Sequence, residues 1–273
     1  MKLHYSPSPA ETNVLGTEKL REAFLIGQLF QPGQVTAHYT DLDRMIVGAA
    51  IPTATPLALP NFRETGTEFF LERREIGIMN LGEPGAIRVG GTRYDVGSLE
   101  CLYVGKDERE VVFENGLKGQ AQFSFISTPA HAKFPTVLAT RAQGTTPIGD
   151  PAKCNRRRIN KYIHPEGIKS CQLVMGFTEF ESGSVWNTMP PHTHSRRTEI
   201  YLYFDLGSDM VVHLLGEPHA TRHVIVRDRE AVLSPPWSIH AGVGTGSYRF
   251  IWAMGGDNQR FADMDQVTIA ELK

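Results

Sequence analysis

Cysteine is scarce in this 273-residue sequence: Cys101, Cys154 and Cys171 are its only three, far apart and without CxxC spacing. So odd and scattered a set argues against a disulfide framework and points to a reducing cytoplasm. A charge excess of one sign is also missing. Lys and Arg number 28 against 30 Asp and Glu, a formal net charge of −2, which gives no electrostatic basis for nucleic acid or an anionic membrane as partner. No unbroken apolar run approaches the roughly 20 residues needed to span a bilayer. The opening residues, MKLHYSPSPAETNVLG, lack the apolar stretch of a secretory signal. These absences together predict a soluble, intracellular protein.

Glycine and proline, by contrast, are plentiful, at 26 and 17 residues spread along the chain. Between them lie short runs rich in Val, Ile, Phe and Tyr, which read as strands and turns rather than as a helical bundle. Examples are Glu75-Ile-Gly-Ile-Met-Asn, Leu99-Glu-Cys-Leu-Tyr-Val and Gln122-Phe-Ser-Phe-Ile, then Glu199-Ile-Tyr-Leu-Tyr-Phe, Asp209-Met-Val-Val-His-Leu-Leu and Tyr248-Arg-Phe-Ile-Trp-Ala-Met. Strands at this density predict antiparallel sandwiches or jelly rolls. The first residues differ. Thr17 is a candidate cap for a helix over residues 18–30, with Leu20, Ala23, Phe24 and Leu29 at helical spacing. The expected division is a helical or extended segment over 1–45, one β half over 46–150 and a second over 151–273. Aligning Glu100 with Glu199 suggests an internal repeat, with Arg93 and Asp95 where the second half has His192 and His194. On that alignment the first half lacks metal ligands.

The stretch Met189-Pro-Pro-His192-Thr-His194-Ser-Arg-Arg-Thr-Glu199 carries the chemistry. Two prolines before His192 disfavour a helix. In an extended strand, residues two apart share a face, so both imidazoles can approach one ion; on a helix they would diverge by about 200°. The four residues after His194 suffice for a turn, and Glu199 then opens the next strand. Further on, Ser234-Pro-Pro-Trp-Ser-Ile-His240 offers a third imidazole. Three imidazoles and a carboxylate suit Zn²⁺, Fe²⁺, Mn²⁺, Co²⁺ or Ni²⁺. The bland alternative is a solvent-exposed polar turn and an unrelated histidine.

These segments resemble the two cupin motifs, with Trp237 where the second motif usually has glycine. Three longer stretches, Asn187 to Asp205, Gly216-Glu-Pro-His-Ala-Thr-Arg-His223 and Ser234 to Gly244, are similar to the 5-keto-4-deoxyuronate isomerase family, also called 4-deoxy-L-threo-5-hexosulose-uronate ketol-isomerase. The resemblance implies a mainly β bicupin, two jelly-roll halves with a few peripheral helices. It further implies one zinc per chain on His192, His194, Glu199 and His240, a hexameric assembly, and a uronate substrate of pectin breakdown. An aldose–ketose isomerisation needs a base and, for the substrate carboxylate, a cation. No residue declares itself as the base; His223, Glu217, Tyr201 and Tyr203 are candidates, each more readily read as structural. Candidate cations are Arg222, Arg196, Arg197 and the run Arg156-Arg157-Arg158, the last read first as a solvated or subunit-interface segment, with Lys161 and Tyr162 possible neighbours of the pocket. An iron-dependent cupin dioxygenase and a non-catalytic sugar-binding bicupin are the competing readings.

Overall fold

The short β-branched and aromatic runs pair into antiparallel sheets. The structure, a computed structural model, describes residues 1–141 and 145–273. The chain divides into two compact units. The first comprises Met1–His4, Gln28–Gly144 and Tyr162–Met175; the second comprises Tyr5–Gly27, Thr145–Lys161 and Gly176–Lys273. Among the described residues no helix is long and apolar enough to cross a membrane.

The same eight-strand arrangement occurs in each unit. In the first, the neighbours Ile46–Ala50, Phe123–Pro129, Arg74–Asn80 and Cys101–Val104 form the middle of one sheet. Leu57–Ala58, Val111–Glu114, Gly85–Val89 and Thr92–Val96 form a second. In the second unit the corresponding orders are Val174–Phe180, Arg249–Gly256, Arg197–Phe204, Ala231–Ser234 and Trp186–Asn187, Ala241–Gly244, Val211–Glu217, Ala220–Val226. This is a mainly β, two-jelly-roll architecture with a few helices, as expected.

The internal repeat is therefore present, but not in the register that aligns Glu100 with Glu199. By its place in the sheet, Arg197–Phe204 corresponds to Arg74–Asn80, whereas Glu100 precedes the strand that corresponds to Ala231–Ser234. Arg93 and Asp95 lie on Thr92–Val96, exposed and paired with each other at 2.9 Å, Arg93 also with Glu114. They are surface ion pairs rather than counterparts of His192 and His194. The carboxylate near the start of the corresponding strand is Glu75, which is fully buried. It accepts hydrogen bonds from the Tyr103 hydroxyl and the backbone N–H groups of Cys171, Gln172 and Leu173, all at 2.7 Å. These donors satisfy a carboxylate that would otherwise be costly to bury.

The N-terminal helix is shorter than the apolar spacing predicts. It spans Thr17–Phe24 with Gly16 at the N-cap, and Leu25–Ile26 leaves it to pair with Ala231–Ser234. A sheet edge won over continued helical periodicity because pairing there satisfies backbone groups and buries Leu25 and Ile26 together. Another helix, Pro9–Val14, lay outside the sequence reading, although its signal was present: Ser8 and Glu11 form a reciprocal capping box.

Candidate metal centre

Each of the four side chains singled out by spacing is delivered by a different local device. His192 lies on the two-residue strand His192–Thr193, held against Asp265–Gln266. The chain then turns, with Arg197 N–H donating to the His194 carbonyl at 2.9 Å. Glu199 enters on the strand Arg197–Phe204, opposite Ser234 and Met254. His240 follows a turn in which Ser238 N–H donates to Pro235, immediately before the strand Ala241–Gly244.

All four converge. His192 Nε2 lies 3.1 Å from His194 Nε2 and 3.0 Å from His240 Nε2. Glu199 Oε2 is 2.9 Å from His194 Nε2 and 3.0 Å from His240 Nε2. His194, Glu199 and His240 are buried and His192 is half-buried. The Asp263 carbonyl lies 2.8 Å from His194 Nδ1 and accepts a hydrogen bond from its N–H, which leaves the Nε2 lone pair facing the cluster. Lone pairs this close repel unless a proton or a cation sits among them. Protons are opposed at His192: burial, reinforced by His240, pushes its pKa down to about 3. Burial also works against the ionised Glu199, but His240 and His194 outweigh it and hold the carboxyl well below the usual range. The cluster is thus a preformed set of donors that could hold a divalent metal ion.

The centre opens onto a cavity of about 270 Å³ walled by Phe250, Trp252 and Phe261 and by the polar residues Arg157, Asn187 and Tyr201. Gly176 has to be glycine for this wall to stand, since a Cβ there would lie 2.2 Å from the Asn160 carbonyl and 2.5 Å from the Trp252 ring. Tyr201 stands edge-on to His240 with ring centroids 5.4 Å apart. Burial and the nearby Glu199 charge raise its pKa well above the ordinary tyrosine value.

The other sequence candidates lie elsewhere. Tyr203 is buried behind the centre, its hydroxyl 2.6 Å from His213 Nδ1, and lines no part of the cavity. His223 is exposed on the strand Ala220–Val226, and Glu217 also lies off the cavity. Arg222 donates to the carbonyls of Thr12, Asn13 and Leu15, fastening the end of the helix Pro9–Val14. Arg196 pairs with Asp263 and Asp265. Arg197, fully buried, donates to the carbonyls of Arg260 and Asp263 and touches His194 Nδ1 at 3.1 Å. Both arginines hold the segment 258–266 over the metal loop, a role the sequence reading missed.

The sequence profile of the KduI/IolB family matches residues 29–270. The chain belongs to that family. Its similarity to family members is also high over full length. A 4-deoxy-L-threo-5-hexosulose-uronate ketol-isomerase from Opitutus terrae is 78% identical over 274 residues, covering both chains completely. A protein of the same name from Kineococcus radiotolerans is 48% identical over 279 residues, again with full coverage of both. Among solved structures, an IolB-like protein from Salmonella typhimurium superimposes with a TM-score of 0.71 at 12% identity, over 89% of this chain and 96% of that one. A mutant of the Bacillus subtilis oxalate decarboxylase does so at 0.57 and 10% identity, over 82% and 71%. At such identities the structures speak to the fold alone, and both agree with the cupin architecture.

Proposed function

We propose that this protein is a metal-dependent ketol-isomerase that converts 4-deoxy-L-threo-5-hexosulose uronate to 3-deoxy-D-glycero-2,5-hexodiulosonate in uronate and pectin breakdown. The observation that carries the reading is full-length identity of 78% to a relative of that name. The convergence of His192, His194, Glu199 and His240 at a cavity is the geometry such a reaction needs. Zinc is the ion inferred, because three neutral imidazoles and one carboxylate are donors it accepts readily. The three free thiols suit a cytoplasmic setting, and the family resemblance supports a homo-hexamer.

The reaction moves one proton between adjacent carbons and another between their oxygens. A divalent ion held by His192, His194, Glu199 and His240 would supply Lewis-acid polarisation at the reacting end of the substrate. The chain's own residues do the rest. The Asp263 carbonyl, itself held by Arg197, fixes the tautomer and orientation of His194. Tyr201 keeps its proton at neutral pH and presents an O–H at the cavity wall beside His240, placed to donate to a substrate oxygen. Phe250, Trp252 and Phe261 exclude water from the reacting end.

The test is anaerobic incubation of zinc-loaded protein with the uronate product of pectate-lyase and oligogalacturonide-lyase digestion, followed by NMR. Appearance of the hexodiulosonate is expected. No conversion, or turnover only with consumption of O₂, overturns the reading.

A further inference from the structure

The three consecutive arginines do not share an environment. On a strand, alternate side chains face opposite ways. Arg156 and Arg158 are about half exposed and both approach Glu181, at 3.1 and 3.8 Å. Arg157, between them, lines the metal cavity and is half-buried. Its Nη1 donates to the Asn155 carbonyl at 2.7 Å, and among the described residues no carboxylate lies within ion-pair distance of it. Burial lowers its pKa from the ordinary arginine value, although the phenols of Tyr201 and Tyr248 act in the other direction. A partly desolvated guanidinium without a carboxylate partner at the wall of a cavity is an unusual thing for a fold to keep. Most of its fork of donors is left for something that enters the cavity.

A second group on the same wall is also short of a partner. Asn187 is 3% exposed and lines the cavity. Its Nδ2 amide group has no hydrogen-bond partner among the described residues. Buried amides are ordinarily satisfied, so an exception at a cavity wall points to a ligand acceptor.

We propose that Arg157 and the Asn187 Nδ2 group seat the carboxylate of the substrate, on the wall of the cavity that opens onto His192, His194 and Glu199. The carboxylate and the reacting aldehyde stand at opposite ends of the sugar chain, so one end is gripped by the guanidinium while the other meets the metal centre. A planar guanidinium fork matches a carboxylate in a way that an ammonium does not. The seat makes the site selective for sugar acids over neutral sugars. That the bound acid is also isomerised rests on the functional reading above.

Two measurements separate this inference from that reading. The first is steady-state kinetics on 4-deoxy-L-threo-5-hexosulose uronate for Arg157→Gln, Arg157→Lys and Arg158→Gln, each with bound metal and thermal stability measured alongside. Losing a charge-assisted contact to the bound substrate should raise KM in Arg157→Gln about 10- to 100-fold, with kcat within a few-fold and metal content full. Arg157→Lys should fall between, and Arg158→Gln should match the wild type. The second is calorimetric binding of D-galacturonate and D-galactose to the zinc-loaded protein. The wild type should prefer the acid, and Arg157→Gln should lose that preference. An unchanged KM, an unchanged acid preference in Arg157→Gln, or a loss confined to kcat and metal content overturns the seat. If the wild type fails to isomerise the uronate yet shows acid preference that depends on Arg157, the functional reading falls and the seat stands. A wild type with neither property overturns both.

Discussion

Replacing Arg197 by methionine tests whether the segment 258–266 is held over the metal loop by one buried guanidinium. Arg197 is 1% exposed and donates to the Arg260 and Asp263 carbonyls at 2.8 and 2.7 Å. Hydrogen bonds from a charged donor contribute about 1.5–3 kcal/mol each, so the two together represent roughly 3–6 kcal/mol. Part of this is offset, because Arg197→Met no longer buries a charge and methionine fills irregular apolar space well. A net loss of about 2–3 kcal/mol is expected, which corresponds to a fall in Tm of roughly 4–12 °C for a protein of this size. His194 would keep its bond to the Asp263 carbonyl but lose the anchor that fixes that carbonyl. Metal affinity should then fall by about 10- to 100-fold, the scale for disturbed groups behind a ligand. The neighbour supplies the control: Arg196 is 40% exposed in its ion pairs with Asp263 and Asp265. Surface pairs of that kind contribute about 0–1 kcal/mol, so Arg196→Gln should change Tm little. Calorimetry of the chelated proteins and competitive zinc titration read both quantities. Wild-type Tm and zinc affinity in Arg197→Met, or an equal loss in Arg196→Gln, would refute the reasoning.

The remaining expectations concern the ligands and the buried histidines. His192→Ala and His240→Ala should lower bound metal and isomerase turnover together; elemental analysis that finds a full equivalent in both would end the ligand assignment. Glu199→Gln should weaken metal binding by about 10- to 100-fold, with activity partly restored by excess zinc; wild-type affinity and turnover would leave a three-histidine centre instead. His213 is fully buried, and burial, reinforced by His240, pushes its pKa from 6.5 down to about 3. The unfolded chain therefore binds a proton that the folded one refuses between those values, so this stability is complete above 6.5 and is lost as pH falls. The expected slope is about 1.4 kcal/mol per pH unit below 6.5. Urea unfolding of chelated protein at pH 7 and pH 5 measures it, and an undiminished slope in His213→Asn would show that the effect arises elsewhere.

The candidate metal cluster was legible in the sequence because most of its residues lie close together in the chain. His192 and His194 stand two apart in an extended stretch, a short turn delivers Glu199, and His240 comes from far along the chain, while the pairing of His192–Thr193 with Asp265–Gln266 left no signal in the spacing. The fold class was legible for a similar reason: turn residues punctuate strand-length apolar runs at regular intervals. What the spacing did not specify was which strands correspond. Gly97 to Gly105 and Arg197 to Gly207 look alike because each contains a buried strand beside a polar turn, and a buried strand carries little information about its neighbours. Sheet order alone reveals that Arg74–Asn80 is the counterpart of Arg197–Phe204. The helix boundary failed for a related reason, since Leu25 and Ile26 satisfy a helical period and a sheet edge equally well.

The arginines show the limit from the other side. Composition reads Arg156-Arg157-Arg158 as one solvated block, and two of the three are indeed half-exposed partners of Glu181. Strand alternation alone would have set the middle residue apart, had Arg157–Ile163 been recognised as a strand in the sequence. Conversely, Arg196 and Arg197 sit inside the metal motif, where proximity in sequence suggests contact with substrate. The structure spends both on the segment 258–266 instead. That segment carries no motif of its own, and it contributes Phe261, Met264 and Gln266 to the cavity while held by those two arginines and by its pairing with His192–Thr193. Position near a motif is thus a weaker guide to a side chain's role than the question of which charge lacks a partner. By that criterion Arg157, some 35 residues before the first ligand, is the better candidate to meet an incoming carboxylate.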